Sequence, residues 1–414
     1  MRRLTRLYRH LFVANRTLTV VVLMTVVSSA IAISTGFWLT WRLVYVAIVG
    51  VPVAYAWSRL NLAGLEIVPD RSTDRLQEGA RYEERITVRN RSWIPKIWLE
   101  VDDPSEMPGH VAKRVVTVAA RGSRTWRVRS TIRRRGLYTV GPVEVTTGDP
   151  FGMFRHTRAY GDRQNVLVYP RAVELPNFSV PAANLPGEGR FRRRTHYVTP
   201  NAAGIRPYEF GDSYNRIHWP STARSREPMV KIFELDPASD IWVILDLHRD
   251  VHAGEGDDST EEYGVTIAAS VALYFLTANR TVGFMSYGRA FDVVDAERGL
   301  NQYTRILESL AMARAWGDVR LGDLLSNEAR RFGRHTTVIA ITPSTDGEWV
   351  AGLGALQGRG VKVAAIVIEP STFGGSESSL GVFASLASTD IFTYMVQHAD
   401  DIASALGAER EAAV

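Results

Sequence analysis

The sequence predicts a multidomain chain: an N-terminal transmembrane helical hairpin, an all-β sandwich-like domain, and a doubly wound α/β domain. Three observations carry this reading. Two apolar runs near the N-terminus are separated by a single arginine; short alternating runs broken by Pro and Gly follow; and buried-strand runs then alternate with helical patterns to the end. The expected boundaries are 1–60 for the basic segment and spans, 61–180 for the sandwich, 181–235 for a linker with a dense motif, and 236–414 for the α/β domain.

Length and composition leave room for this. The chain has 414 residues, 45% hydrophobic and 22% charged, enough for more than one core. It contains no cysteine, which excludes disulfides, thiol nucleophiles and Cys-ligated metals. The net charge of +5 is carried almost wholly by arginine. That suits an anionic membrane face as well as nucleic acid, so position must decide.

Position favours the membrane. Thr17 to Trp41 carries no charge, and Leu18–Ile33 is nearly continuous apolar sequence, close to the roughly 20 residues a span requires. A second run, Leu43–Trp57, reaches span length from near Phe37 if Arg42 snorkels. Ser34-Thr35-Gly36 is the turn, and Phe37, Trp38, Trp41, Tyr55 and Trp57 suit interfacial belts. A cleaved signal peptide ending at Ala30-Ile31-Ala32 is the competing reading, weakened by the second span at once behind it. Arg2, Arg3, Arg6, Arg9 and Arg16 precede the hairpin, and Arg59, Arg71 and Arg75 follow it. Both termini are therefore expected on the cytoplasmic side of the membrane.

From about Leu62 to Pro170 the alternation is that of half-buried strands. Glu84–Val88 and Lys96–Val101 alternate; in Thr125–Ile132, Trp126, Val128, Ser130 and Ile132 share one face while Arg127 and Arg129 take the other. The Asp149-Pro150-Phe151-Gly152-Met153-Phe154 segment reads as a turn with both Phe packed beneath it. Arg190–Tyr197 is a basic run on a linker. One Phe and one Tyr are too few aromatics for a nucleic-acid arm, so no nucleic-acid partner is expected.

The densest motif runs from Arg206 to Arg224: R-x-Y-x-x-G-D-x-x-x-R-I-x-W-x-x-x-A-R, that is Arg206, Tyr208, Gly211, Asp212, Arg216, Ile217, Trp219, Ala223 and Arg224. Its spacing admits a clasp of Arg–carboxylate pairs around a buried Trp219, with Asp212 capping a short helix. It also admits a partner-peptide or anion site, or acid/base chemistry by Asp212, Glu209 and His218, as in an envelope-related hydrolase or transferase. This motif, the Asp149–Phe154 turn and the double span resemble the bacterial family called domain of unknown function 58. The resemblance covers nearly the whole chain. It implies a von Willebrand A-like C-terminal domain and a MoxR-type AAA+ ATPase as partner.

The C-terminal region reads as α/β from its residues alone. Strands are expected at Ile241–Leu245, Thr281–Tyr287, Thr337–Thr342, Val361–Ile368 and Ile391–Val396, with helices at Glu261–Asn279, Gln302–Arg314 and Leu321–Phe332, giving a parallel sheet. Ligands of such sheets bind at the carboxyl ends of strands, where Asp246, His248 and Asp250 fall. The von Willebrand A resemblance implies an Asp-x-Ser-x-Ser metal site there. Asp246 is retained, but His248 and Asp250 replace the serines, Val319 stands where Thr is expected, and Pro343 where Asp is. The site is thus expected to be a degenerate one, with no cofactor and a divalent metal unlikely to bind. With no phosphate loop, nucleophile elbow or HExxH motif, the chain reads as a membrane-anchored, cytoplasm-facing adaptor or scaffold rather than an enzyme.

Overall fold

The computed structural model describes residues 16–71, 73–180, 202–209, 217–225, 227–233 and 240–407. They fall into two compact units, Met1–Tyr169 and Pro170–Val414.

The first unit opens with two helices, α1 (Arg16–Thr35) and α2 (Trp38–Leu62), each long and apolar enough to cross a membrane. Gly36 turns between them at φ +67°, a conformation only glycine adopts cheaply. Most of their apolar side chains face outward, so they are not the core of a soluble bundle. Arg42 lies over the Trp38 ring at 4.3 Å, pulling its charge towards the helix end.

Ten strands follow: β1 (Leu65–Arg71), β2 (Arg75–Gln77), β3 (Arg81–Asn90), β4 (Lys96–Asp102), β5 (Arg114–Val118), β6 (Ser123–Thr131), β7 (Gly136–Val140), β8 (Val143–Gly148), β9 (Arg155–Tyr160) and β10 (Gln164–Tyr169). They form three sheets, ordered β1-β3-β6, β2-β10-β7 and β5-β4-β8-β9. Pairing is antiparallel except between β2 and β10, which run parallel. The face read from β6 is confirmed: Trp126 and Ile132 are buried, while Arg127 and Arg129 reach outward to Glu83 at 3.4 and 3.1 Å. The Asp149 turn differs from expectation. Phe154 is buried but Phe151 is exposed.

In the second unit, segment 170–180 packs on the α/β sheet rather than on the strands before it. Phe178 meets Phe275 and Tyr394 edge-on or tilted, and the Val173 amide donates to Ser270 Oγ at 2.9 Å. A two-stranded ribbon, β11 (Ala202–Pro207) against β12 (Met229–Phe233), holds the ends of the motif, with α3 (Trp219–Ser225) between.

The main sheet has strands β13 (Asp240–Leu245), β16 (Val282–Tyr287), β17 (Phe291–Glu297), β18 (Thr336–Thr342), β19 (Lys362–Ile368) and β20 (Phe392–Val396), ordered β17-β16-β13-β18-β19-β20. The minor pair β14 (Gly254–Glu255) and β15 (Asp258–Ser259) precedes helix α4 (Thr260–Thr277). Helices α5 (Leu300–Met312), α6 (Leu321–Glu328), α7 (Glu348–Gly358) and α8 (Leu380–Ser388) complete the layers, with a last turn, α9, at Ile402–Ala405. The sheet is mixed rather than wholly parallel, because β17 pairs antiparallel with β16. That edge strand is half-exposed and interrupted by Asp292, Asp295 and Glu297, so it lacks the buried run that marks its neighbours.

Candidate functional site

The connection from β13 leads to β16 on one side, and the chain later crosses to β18 on the other. The carboxyl ends of β13 and β18 therefore diverge, which opens a crevice at the switch point of the sheet. A cavity of about 330 Å³ lies there, lined among others by Asp246, His248, Asp250, His252, Arg320, Ser344, Asp346, Glu348 and Trp349.

Asp246 follows β13 and is buried, so its oxygens must find donors inside the protein. Thr342, the last residue of β18, donates Oγ1 to Asp246 Oδ2 at 2.6 Å, and the His248 amide donates to Oδ1 at 3.0 Å. Thr342 Oγ1 in turn accepts the Ser344 amide at 2.9 Å. One carboxylate thus ties the two diverging strand ends together. His252 Nε2 lies 3.0 Å from the Asp246 carbonyl, which can only accept, so Nε2 carries the proton and Nδ1 accepts from Thr260 Oγ1 at 3.0 Å. Burial holds His252 below the ordinary imidazole value, against the pull of Asp246 and Glu261, and keeps it neutral at pH 7.

The floor is sewn by backbone. The Gly317 amide donates to the Leu247 carbonyl at 2.9 Å, and the Arg249 amide donates to Gly317 at 3.0 Å. A Cβ at 317 would sit 2.2 Å from the Tyr287 carbonyl oxygen, so this approach requires glycine. The rim is ionic and exposed: Arg320 Nη1 lies 3.1 Å from Asp346 and 3.5 Å from Glu348. The loop carrying Glu377 is held by buried Glu369, which accepts from Ser371 Oγ at 2.6 Å and Ser379 Oγ at 2.5 Å. Burial raises Glu369, but these serine hydroxyls and amides outweigh it and leave the carboxyl below its usual range.

The residues present do not suit a divalent cation. Mg²⁺ wants a near-octahedral oxygen shell. Both Asp246 oxygens are already engaged, His248 Nδ1 faces the Asp250 amide at 3.4 Å, and the Asp250 carboxylate is exposed beside Arg249. Val319, at the expected threonine position, packs against the core. Among the described residues no three His, Asp or Glu side chains converge on one point.

Part of the Arg206–Arg224 motif falls within the described residues. Gly211, Asp212 and Arg216 lie outside the described residues. Arg206 Nη1 donates to the Pro207 carbonyl at 3.0 Å and stands 3.9 Å from Glu209. The Tyr208 amide donates to Pro228 at 2.8 Å, and Arg224 is exposed. Trp219 is 68% exposed, so a clasp built around a buried Trp219 is not what forms. His218 opens α3 instead: its carbonyl accepts from Ser221 and Thr222, and Nδ1 pairs with Ser221 Oγ at 2.8 Å. Sequence reasoning located Asp246 but missed its partner Thr342 and the supporting His252. A threonine ending one buried strand opposite an aspartate ending another was the available signal.

A six-stranded mixed sheet with a switch-point crevice, preceded by a two-stranded β-ribbon, defines an α/β domain as the class. Residues 204–372 match the family model "Protein of unknown function DUF58", which bears out the resemblance read from the motif over that segment. The uncharacterized protein YeaD of Bacillus subtilis (strain 168) is 23% identical over 306 residues, 72% of this chain and 74% of YeaD. The uncharacterized protein Rv1480 of Mycobacterium tuberculosis is 28% identical over 173 residues, 40% of this chain. The chain thus spans about half, 54%, of that relative's length. Among solved structures, the CARDB domain of PF1109 from Pyrococcus furiosus covers 25% of this chain and 94% of its own, at 14% identity and a TM-score of 0.19, too low to support any conclusion.

Proposed function

We propose that the chain is a membrane-anchored adaptor whose α/β domain is von Willebrand A-like and docks a protein partner at the switch-point crevice. The partner we propose is a MoxR-type AAA+ ATPase, and the side we propose is the cytoplasmic one. The observation that carries this reading is the crevice itself. Its inner carboxylate, Asp246, is spent on joining β13 to β18, while its outer rim offers exposed Arg320 and Asp346 on loops and Glu348 at the start of α7. A fixed floor under a charged, accessible rim suits recognition of a folded or extended polypeptide. The two apolar helices supply the anchor. The arginines before and after the hairpin support the cytoplasmic orientation.

Co-purification tests the proposal. Tagged full-length chain, solubilised from native membranes, is expected to retain an AAA+ ATPase. Glu348→Lys, which reverses an exposed rim charge, should lower recovery severalfold without loss of fold. Asp246→Ala should do the same through the crevice floor, and Asp212→Ala tests the motif. Recovery of no ATPase with the wild-type chain would refute the proposal.

A further inference from the structure

One end of the β-rich unit gathers around the point where the chain leaves α2. Lys96 Nζ donates to the Leu60 carbonyl in the last helical turn at 2.5 Å. Asn61 pairs both ways with the Ile97 backbone, at 2.7 and 3.2 Å, and reaches Thr147 Oγ1 at 2.5 Å. The β3–β4 and β8–β9 connections are thereby fixed beside the helix end. Each connection, and the start of β4, presents an aromatic ring outward. Trp93 is 75% exposed, Trp98 69% and Phe151 66%. Scattered exposed apolar residues need no explanation, but three large aromatic rings at one end of a unit do.

These rings are held out by built structure. The β4–β5 register shifts between Lys96 and Leu99, and Trp98 takes φ +52°, a costly conformation for an aromatic residue. In the β8–β9 turn, buried Asp149 accepts the Phe151 amide at 2.8 Å and the Phe154 amide at 2.5 Å. Met153 and Phe154 then bury in one cluster with Leu18 of α1 and Ala54 of α2. Phe154 meets Tyr55 edge-on at 5.3 Å. A single rigid turn thus seats one phenylalanine on the helices and directs the other outward beside them.

Helical rise sets the depth. The 25 residues of α2 extend about 37 Å, against a hydrocarbon core of about 30 Å. With Trp38 at one interface, Ala54 lies about 24 Å along the helix, just short of the other boundary. The turn that packs on Ala54 therefore stands at that boundary. Basic groups stand near it: Arg59 over Tyr55 at 5.6 Å and Arg121 over Trp93 at 3.3 Å.

We propose that this end of the β-rich unit is a second membrane-binding surface. Phe151, Trp98 and Trp93 enter the headgroup–acyl boundary around the helices, and Arg59 and Arg121 bind lipid phosphates. The inference rests on the two helices crossing a bilayer. Its occupant is lipid, because the surface is continuous with the helices and pairs aromatic rings with arginine as interfacial belts do.

The chain contains no cysteine, so single labelling sites are clean. Phe151→Cys, Val27→Cys in mid-α1 and Gln77→Cys would each carry an environment-sensitive fluorophore, in full-length chain reconstituted into nanodiscs of phosphatidylcholine and phosphatidylglycerol. Gln77 is an exposed control, because β3 carries its neighbour Arg81 about 30 Å from Asn90 at the helix end. The expected result is a blue-shifted label at 151, quenched severalfold more by headgroup-nitroxide lipid than the label at 77. A water-like label at 151, with the label at 27 quenched by an acyl-end nitroxide, would overturn the inference and leave the anchor intact. A blue shift at 151 without lipid quenching would also overturn it, showing a protein cover. A label at 27 that no lipid quencher reaches would overturn anchor and inference together.

Discussion

Glu84 in the β-rich unit and Asp246 in the α/β unit are both buried carboxylates, and they meet the cost of desolvation differently. Glu84 is matched by charge. Arg71 Nε lies 3.3 Å from Oε1 and His110 Nε2 3.4 Å from Oε2, while Arg71 Nη2 also reaches Asp103 at 2.7 Å. Asp246 is matched by a hydroxyl and an amide alone. A paired buried charge leaves its partner stranded when removed, whereas a neutral donor leaves only an unmade hydrogen bond. The two sites should therefore fail by different amounts and respond differently to pH.

The largest expected effect is at Glu84. Glu84→Gln strands the Arg71 guanidinium beside Asp103 alone and should cost about 3 kcal/mol, the low end for breaking a buried ion pair, because Asp103 can ionise in its place. Hydrogen exchange of β1, β3 and β6 would register it as lost protection. Equal protection in variant and wild type would break the contrast. Thr342→Val should cost less, about 1–3 kcal/mol, since it removes one donor to Asp246 and one acceptor for the Ser344 amide. Exchange at β13 and β18 reads that loss.

The smallest effect in size is the most diagnostic in pH. Burial, then the neighbouring Glu84, lifts Asp103 from 3.8 to about 7, against the pull of Arg71. For Glu84, burial acts upward, but hydrogen bonds from His110 and Asp103 and the charge of Arg71 leave it lowered. Between about pH 4 and 7 the folded chain therefore keeps an Asp103 proton that the unfolded chain has lost, and stability falls as pH rises through that window. Glu84 works in the opposite sense, and only in more acid solution. Asp103→Asn mimics the protonated acid. It should change stability at pH 5 by less than about 1 kcal/mol and flatten the fall towards pH 7.5. Urea unfolding at the two pH values checks it; an unaltered slope would assign the proton elsewhere.

The same contrast shows what was legible in sequence. Long apolar runs gave both helices, and period-two alternation gave the faces of β6, because each signal is local. Alternation also put Glu84 on the inward face with Ile86 and Val88, yet nothing local showed that Arg71, Asp103 and His110 would converge there. Buried runs located β13, β16, β18, β19 and β20. The antiparallel edge β17 was hidden by its interspersed acids, Asp292, Asp295 and Glu297, and Phe178 drew residues 170–180 onto the α/β sheet. Asp246 was legible as the end of a buried strand. Its partner Thr342, 96 residues away, depends on sheet order, which one sequence does not reveal. Phe151 was read as packed beneath its turn, and one of the three readings of the motif buried Trp219; both face outward.

The central claim is that the switch-point crevice is a docking site. A photo-crosslinker at Glu348, on the exposed rim, tests it most directly in full-length chain within native membranes. The account predicts a covalent adduct to an AAA+ ATPase from position 348 and none from Gln77 in the β-rich unit. An ATPase that co-purifies yet crosslinks only from position 77 would contradict it.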